Sequence, residues 1–222
     1  MELKELGKAA AAVKYELACM PEEEKNHALL AVAEGLIRDE KKILAANAKD
    51  VADGEAKGMP PGLVDRLRLT GDRICAMAEG LRQVSALPDP VGEILDSFLR
   101  PNGLKIEKRR VPLGVIGIIY ESRPNVTADA FGLCFKAGNA CILKGGSDAL
   151  SSNLAIAESI RTSLAECGIN PDAVSLITDT NRAVTEQFMR MNEYVDVLIP
   201  RGGAGLIRAV VEHSTVPVIE TG

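Results

Sequence analysis

The 222-residue chain has no tryptophan, and Phe, Tyr and Trp together make up only 3% of it. It therefore has few rings on which bases can stack. With a net charge of −5 and no block of Lys or Arg, it also has no track for a phosphate backbone, and no nucleic-acid partner is expected. Histidine is almost missing: His27 and His213 stand apart from any Cys/His cluster, so no metal site is expected. The five cysteines (Cys19, Cys75, Cys134, Cys141, Cys167) are odd in number and scattered, which fits reduced, buried thiols rather than a disulfide framework. No apolar run reaches the roughly 20 residues that span a bilayer, and the N-terminal MELKELGKAAAAVKYELACM lacks a signal-peptide core. No membrane contact is expected, and the cytoplasmic compartment is the default.

What the chain does have is two kinds of periodicity. Residues 1–92 read as helices. ELKELGKAAAAVKYELACM, EEEKNHALLAVAEGLIRDE and KKILAANAKDVADGEAKG carry apolar residues at helical spacing, the second with acids at its start and the third stopped by Gly58 and Pro60-Pro61. GLVDRLRLTGDRICAMAEGLRQVSAL holds a short helix and a longer one, broken near Thr70-Gly71. Residues 93–111 alternate about Pro101-Asn102-Gly103, a hairpin signal. Such a hairpin is marginal alone, so it is expected to lie against another part of the molecule or a second subunit.

From 112 to 222 strand and helix alternate. LGVIGIIY, ACILK, AVSLIT, YVDVLI and VPVIE read as strands, separated by helices over 124–136, 148–166, NRAVTEQFMRM and AGLIRAVVEH. Apolar strands joined by helical crossovers predict an α/β fold: a doubly wound, mostly parallel, Rossmann-like sheet with an N-terminal helical segment and a β-hairpin.

Ligands of open parallel sheets lie beyond the carboxyl ends of the strands. In IPRGGAG, Gly202 and Gly203 follow a strand and open a helix, which suits an anion on free N–H groups. The spacing matches neither standard nucleotide fingerprint, and a turn needing positive φ explains the glycines equally well. ILKGGSD offers Lys144 for a ribose hydroxyl or phosphate and Ser147 as a helix cap, or else a solvated Lys beside an ordinary turn. ESRPNV offers the Arg123 guanidinium for a carboxylate or phosphate and the Asn125 amide for an oxyanion, or else a surface turn with an Asn cap near Pro124 and Arg123 in a structural ion pair. In VIETG, a buried Glu220 suits a general base; a solvated carboxylate is the plain alternative. Cys134 and Cys141 fall inside a helix and a strand, with no group nearby to activate them.

VPLGVIGIIYESRPNVTADAFGLCFKAGNACILKGG, IPRGGAGLIRAVVEHSTVPVIETG, ILAANAKDV and LVDRLRLTGDRI resemble the gamma-glutamyl phosphate reductase family of the aldehyde dehydrogenase superfamily, over essentially all of the chain. The resemblance implies NADPH-dependent reduction of L-glutamyl 5-phosphate to glutamate 5-semialdehyde and phosphate, a step of proline biosynthesis. In it a cysteine thiolate attacks the acyl phosphate and the thioester accepts hydride. It implies an oxyanion-donor role for Asn125 and NADP(H) contacts in three segments. Those are Lys144, Gly145, Gly146 and Ser147; Arg201, Gly202, Gly203 and Gly205; and Thr221 and Gly222. Ser122 and Arg123, from the chemistry of their loop, are the residues expected to hold the substrate's phosphate or carboxylate. Glu220 matches the glutamate of the superfamily's E-L-G-G motif, although hydride transfer has less need of a water-activating base. A homo-oligomer built on the hairpin and a functional contact with glutamate 5-kinase are implied too. The family's nucleophilic cysteine lies downstream of IETG, so the resemblance implies that these 222 residues are the cofactor-binding part without the catalytic domain, inactive by themselves. The alternative is a nucleotide-binding or assembly module without catalysis.

Overall fold

The structure, a computed structural model, describes residues 2–121 and 123–220. Five helices come first. α1 (Leu3–Cys19) buries Leu6, Ala10, Val13 and Leu17, spaced four, three and four apart. α2 (Glu22–Arg38) begins with three glutamates at its positive end and buries Leu29, Val32, Ala33 and Leu36. α3 (Glu40–Ala56) ends before Gly58, whose φ of 73° reverses the chain. α4 (Pro61–Leu67) and α5 (Gly71–Ala86) are separated by a turn in which the Thr70 side chain accepts from the Arg73 N–H at 3.2 Å, capping α5.

The hairpin pairs β1 (Ile94–Leu99) with β2 (Lys105–Arg109) antiparallel, closed at Gly103 with φ of 86°. Both strands are exposed almost throughout.

The second half is a parallel sheet. β3 (Val115–Tyr120), β4 (Ala140–Lys144), β5 (Val174–Leu176) and β6 (Val197–Arg201) lie in the order β5-β4-β3-β6. Three helices make the crossovers: α6 (Asn125–Lys136), α7 (Leu150–Glu166) and α8 (Arg182–Phe188). The chain moves outward from β3 to β5 and then returns to the other side of β3, so the order reverses at β3. Every residue of β3 and β4 is buried, as helices on both faces require. After α9 (Ala204–His213), the expected strand over VPVIE is reduced to a single parallel bridge between Val218 and Leu198. Pro217 has no N–H to extend a ladder there.

One continuous core joins the helical half to the sheet, running from Leu6 and Leu29 through Leu81 to Phe131 and Ile142. Buried polar side chains add specific ties. From α3, the Asn47 amide donates to the Leu67 carbonyl at 2.8 Å and accepts from the Leu69 N–H at 2.7 Å. One turn on, the Asp50 carboxylate accepts from the Ser152 N–H at 2.7 Å and the Ser152 hydroxyl at 2.6 Å, at the start of α7. The ILAANAKDV stretch thus clamps the α4–α5 turn and α7 together.

Asn47→Ala leaves the Leu69 N–H and the Leu67 carbonyl unpaired where Asn47 is only 2% exposed. A loss of about 1–3 kcal/mol in unfolding free energy is expected, read from the urea midpoint; an unchanged midpoint shows that the clamp contributes nothing.

Candidate functional site

Strand register brings three chain segments to one edge. Ile119 pairs with Lys144, and Tyr120 pairs with Arg201, so β3, β4 and β6 end together at the point where strand order reverses. Past Tyr120 the chain turns tightly: the Glu121 N–H donates to the Arg201 carbonyl at 3.4 Å, and the Arg123 N–H to the Glu121 carbonyl at 2.7 Å. Asn125 is the first residue of α6.

The glycines after β6 have a specific reason to be there. The Glu121 carboxylate accepts from the Gly203 N–H at 2.9 Å, directly before α9. A Cβ on Gly202 would stand 2.7 Å from the Glu121 carboxyl carbon. The expected anion seat therefore holds an internal carboxylate, at the end of the helix that favours negative charge. Glu121 was not among the sequence-derived site residues; an acid one residue beyond a central strand was the only signal. Arg201 is exposed, and Gly205 lies inside α9 with open space where a Cβ would be.

Lys144 differs from the solvated lysine that the sequence allowed. It is 6% exposed, its Nζ donates to the Gly145 carbonyl at 3.3 Å, and no ion-pair partner lies within reach among the described residues. Burial holds its pKa below the ordinary value of 10.5, with the Asp179 carboxylate opposing the shift. Beneath this loop a buried relay runs from the Tyr120 hydroxyl to Thr127 Oγ1 (2.7 Å) and on to Asn153 Oδ1 (3.0 Å). Asn153 Nδ2 has no partner among the described residues, and a Cβ on Gly145 would collide with it. Gly145 is thus a close approach between the loop and α7. Gly146 precedes a short 3-10 turn, Ser147–Ala149, and neither that turn nor α7 has a side-chain cap, so the expected Ser147 cap does not form.

A cavity of about 430 Å³ opens where the α4–α5 turn meets the start of α6. Arg66, Arg123, Asn125 and Asp129 line it over Leu69 and Met77. The Asn125 amide donates to Asp129 at 3.1 Å. Burial raises the Asp129 carboxyl above its ordinary range; that hydrogen bond and the Arg201 charge act against the shift. The expected site residues Arg123 and Asn125 are thereby brought together, and Arg66 and Asp129 join them unforeseen.

Glu220 is exposed, whereas a general base calls for burial. Ser122, Thr221 and Gly222 lie outside the described residues. Cys134 and Cys141 are buried, and the Cys141 thiol is pushed well up by its hydrogen bond with Cys134 and by burial. The inert reading of that thiol stands.

The family model for the aldehyde dehydrogenase family matches residues 1–220. The chain belongs to the aldehyde dehydrogenase family. It is 59% identical to a gamma-glutamyl phosphate reductase of Lachnospira eligens, over 99% of this chain and 53% of that protein. The crystal structure of gamma-glutamyl phosphate reductase from Thermotoga maritima matches all of this chain, with a TM-score of 0.98 at 45% identity, and 54% of that chain is covered. The enzyme of the same name from Saccharomyces cerevisiae matches with a TM-score of 0.90 at 28% identity, over 99% of this chain and 56% of that one. The chain spans about half the length of the curated relatives it matches. The α/β fold with its parallel sheet and hairpin is that of the aldehyde dehydrogenases.

Lys144 also gives a pH prediction. Its folded pKa is depressed, so in the window between that value and 10.5 the unfolded chain holds more protons and stability rises with pH. Lys144→Met removes this dependence. The variant is expected to exceed the parent in urea midpoint at neutral pH, with the gap closing as pH approaches 10.5; a constant gap sinks the assignment.

Proposed function

We propose that this chain is the nucleotide-binding part of an NADPH-dependent reductase. The reaction reduces L-glutamyl 5-phosphate to L-glutamate 5-semialdehyde and releases phosphate. The similarity over the whole chain to gamma-glutamyl phosphate reductases carries the reading, and the chemistry of the ligand edge supports it.

The residues present fit a dinucleotide. A buried lysine with a depressed pKa and no ion-pair partner among the described residues is stabilised by any anion brought beside it, which suits the adenosine ribose or its 2′-phosphate. The N–H groups opening α9 suit a pyrophosphate, and the Glu121 carboxylate must move off Gly203 for that contact to form. The bound cofactor supplies the hydride. At the other side of the edge, the Asn125 amide is the oxyanion donor as charge builds on the acyl oxygen. No cysteine lines the cavity beside Asn125, which supports a thiolate other than these five as the attacking group. Attack of that thiolate on the acyl carbon breaks the bond to the phosphate oxygen, and phosphate leaves with the electron pair.

Assembly is part of the proposal. Leu95, Phe98, Leu99 and Leu104 expose apolar side chains on the hairpin, and a two-stranded ribbon is marginal unless something covers it. A second subunit is the cover proposed.

Lys144→Ala is expected to weaken NADPH binding more than NADH binding, by about 10-fold for a lost charge-assisted contact, read by nucleotide fluorescence. Equal weakening removes the 2′-phosphate role. Leu99→Asp, at a side chain 71% exposed in this chain, is expected to shift sedimentation towards a smaller species without changing the unfolding midpoint. An unchanged sedimentation coefficient shows that the hairpin is not a subunit contact.

A further inference from the structure

We infer that the cavity between the α4–α5 turn and the start of α6 receives the α-amino-acid end of the substrate, Arg66 and Arg123 taking its carboxylate and Asp129 its ammonium group. This rests on the proposed glutamyl substrate and deepens it.

Four arginines line the cavity, and two are already engaged. Arg68 pairs with Glu55 at 2.8 Å, and Arg73 pairs with Asp65 at 3.2 Å while donating to the carbonyls of Asp65 and Arg68. Among the described residues, Arg66 and Arg123 have no carboxylate within ion-pair distance. They come from different elements, α4 and the β3–α6 turn, and face one space. Two free guanidiniums converging on a cavity of about 430 Å³ suit a planar carboxylate held by both.

Asp129 decides between the ends of the substrate. It lines the same cavity and is half-buried. A doubly charged phosphate entering there would meet this carboxylate, whereas a zwitterion satisfies the arginines and Asp129 at once. Leu69 and Met77 give the methylenes of a glutamyl chain an apolar wall. Asn125, bound to Asp129 at 3.1 Å, then stands on the acyl side, which agrees with an oxyanion role. Arg66 lies on the short helix α4, whose following turn is held by Asn47, so the α3 clamp positions this contact.

The test is calorimetry on the enzyme as its gene encodes it, with L-glutamate and with glutarate, which lacks the amino group. The parent is expected to bind L-glutamate more tightly. Arg66→Ala should weaken both ligands about 10-fold, with Arg66→Lys recovering part of the loss. Asp129→Asn should remove the preference for L-glutamate and leave glutarate binding intact. In turnover, Arg66→Ala should raise KM for glutamate 5-semialdehyde with kcat little changed, and leave KM for butyraldehyde, which has neither charged group, as it was. The inference is overturned if neither variant alters binding, if the parent does not prefer L-glutamate, or if KM rises equally for both aldehydes. A parent that binds L-glutamate with the predicted variant effects, yet turns over no glutamyl phosphate, overturns the reductase reading and not the cavity assignment. Arg66 is exposed, so its replacement leaves the core untouched, and an unchanged urea midpoint confirms this for each variant.

Discussion

Parallel pairing of β3 on both of its edges is the constraint that brings the ends of β4, β3 and β6 together. All six residues from Val115 to Tyr120 are buried, and the strand is hydrogen-bonded to β4 on one side and β6 on the other. Gly117 lies at its middle because Leu198 and Phe188 occupy the space of a side chain; a Cβ would come 2.7 Å from the Phe188 ring. Polar side chains set where the strand begins. Asp196 accepts from the Val115 N–H at 2.8 Å, and Asn139 accepts from the Gly114 N–H at 2.9 Å. With the start set on both flanks, the three strands end flush, and Lys144, Glu121 and Arg201 emerge at one edge.

Internal charges already occupy part of that edge. Glu121 holds the first free N–H of α9, so an anion approaching that helix meets a carboxylate before it meets the backbone. Lys144 shows the opposite situation, a buried cation whose charge is compensated only at a distance by Asp179. The two loops therefore differ electrically as well as in position: one holds a carboxylate on a helix N–H and the other a buried ammonium group.

The helical half does more than cover the sheet. Asn47 and Asp50, three residues apart on one face of α3, fasten the α4–α5 turn and the start of α7 through buried hydrogen bonds. That turn follows α4, whose Arg66 lines the cavity together with Arg123 of the β3–α6 turn and Asn125 at the start of α6. Residues separated widely in the chain thus share one wall, tied together by buried side-chain hydrogen bonds.

Much was legible from the chain alone. Helix positions followed from apolar spacing, the hairpin from Pro101-Asn102-Gly103, and the parallel sheet from buried strands alternating with helices. Each of these depends on local pattern, which a one-dimensional string carries. VPVIE has strand composition, yet Pro217 lacks the N–H a ladder needs and only Val218 bridges to Leu198. The electrical state of the loops was not legible. Whether Lys144 is solvated or buried, whether Gly203 is free or capped by Glu121, and whether Glu220 is buried or exposed depend on neighbours distant in the chain. Arg66 and Asp129 lie in no recognisable site pattern, and only the tertiary placement of α4 and the start of α6 puts them in one cavity. Sequence determined which elements form; tertiary structure decided the charge, burial and company of each side chain where β3, β4 and β6 end, because those are set by contacts across the fold.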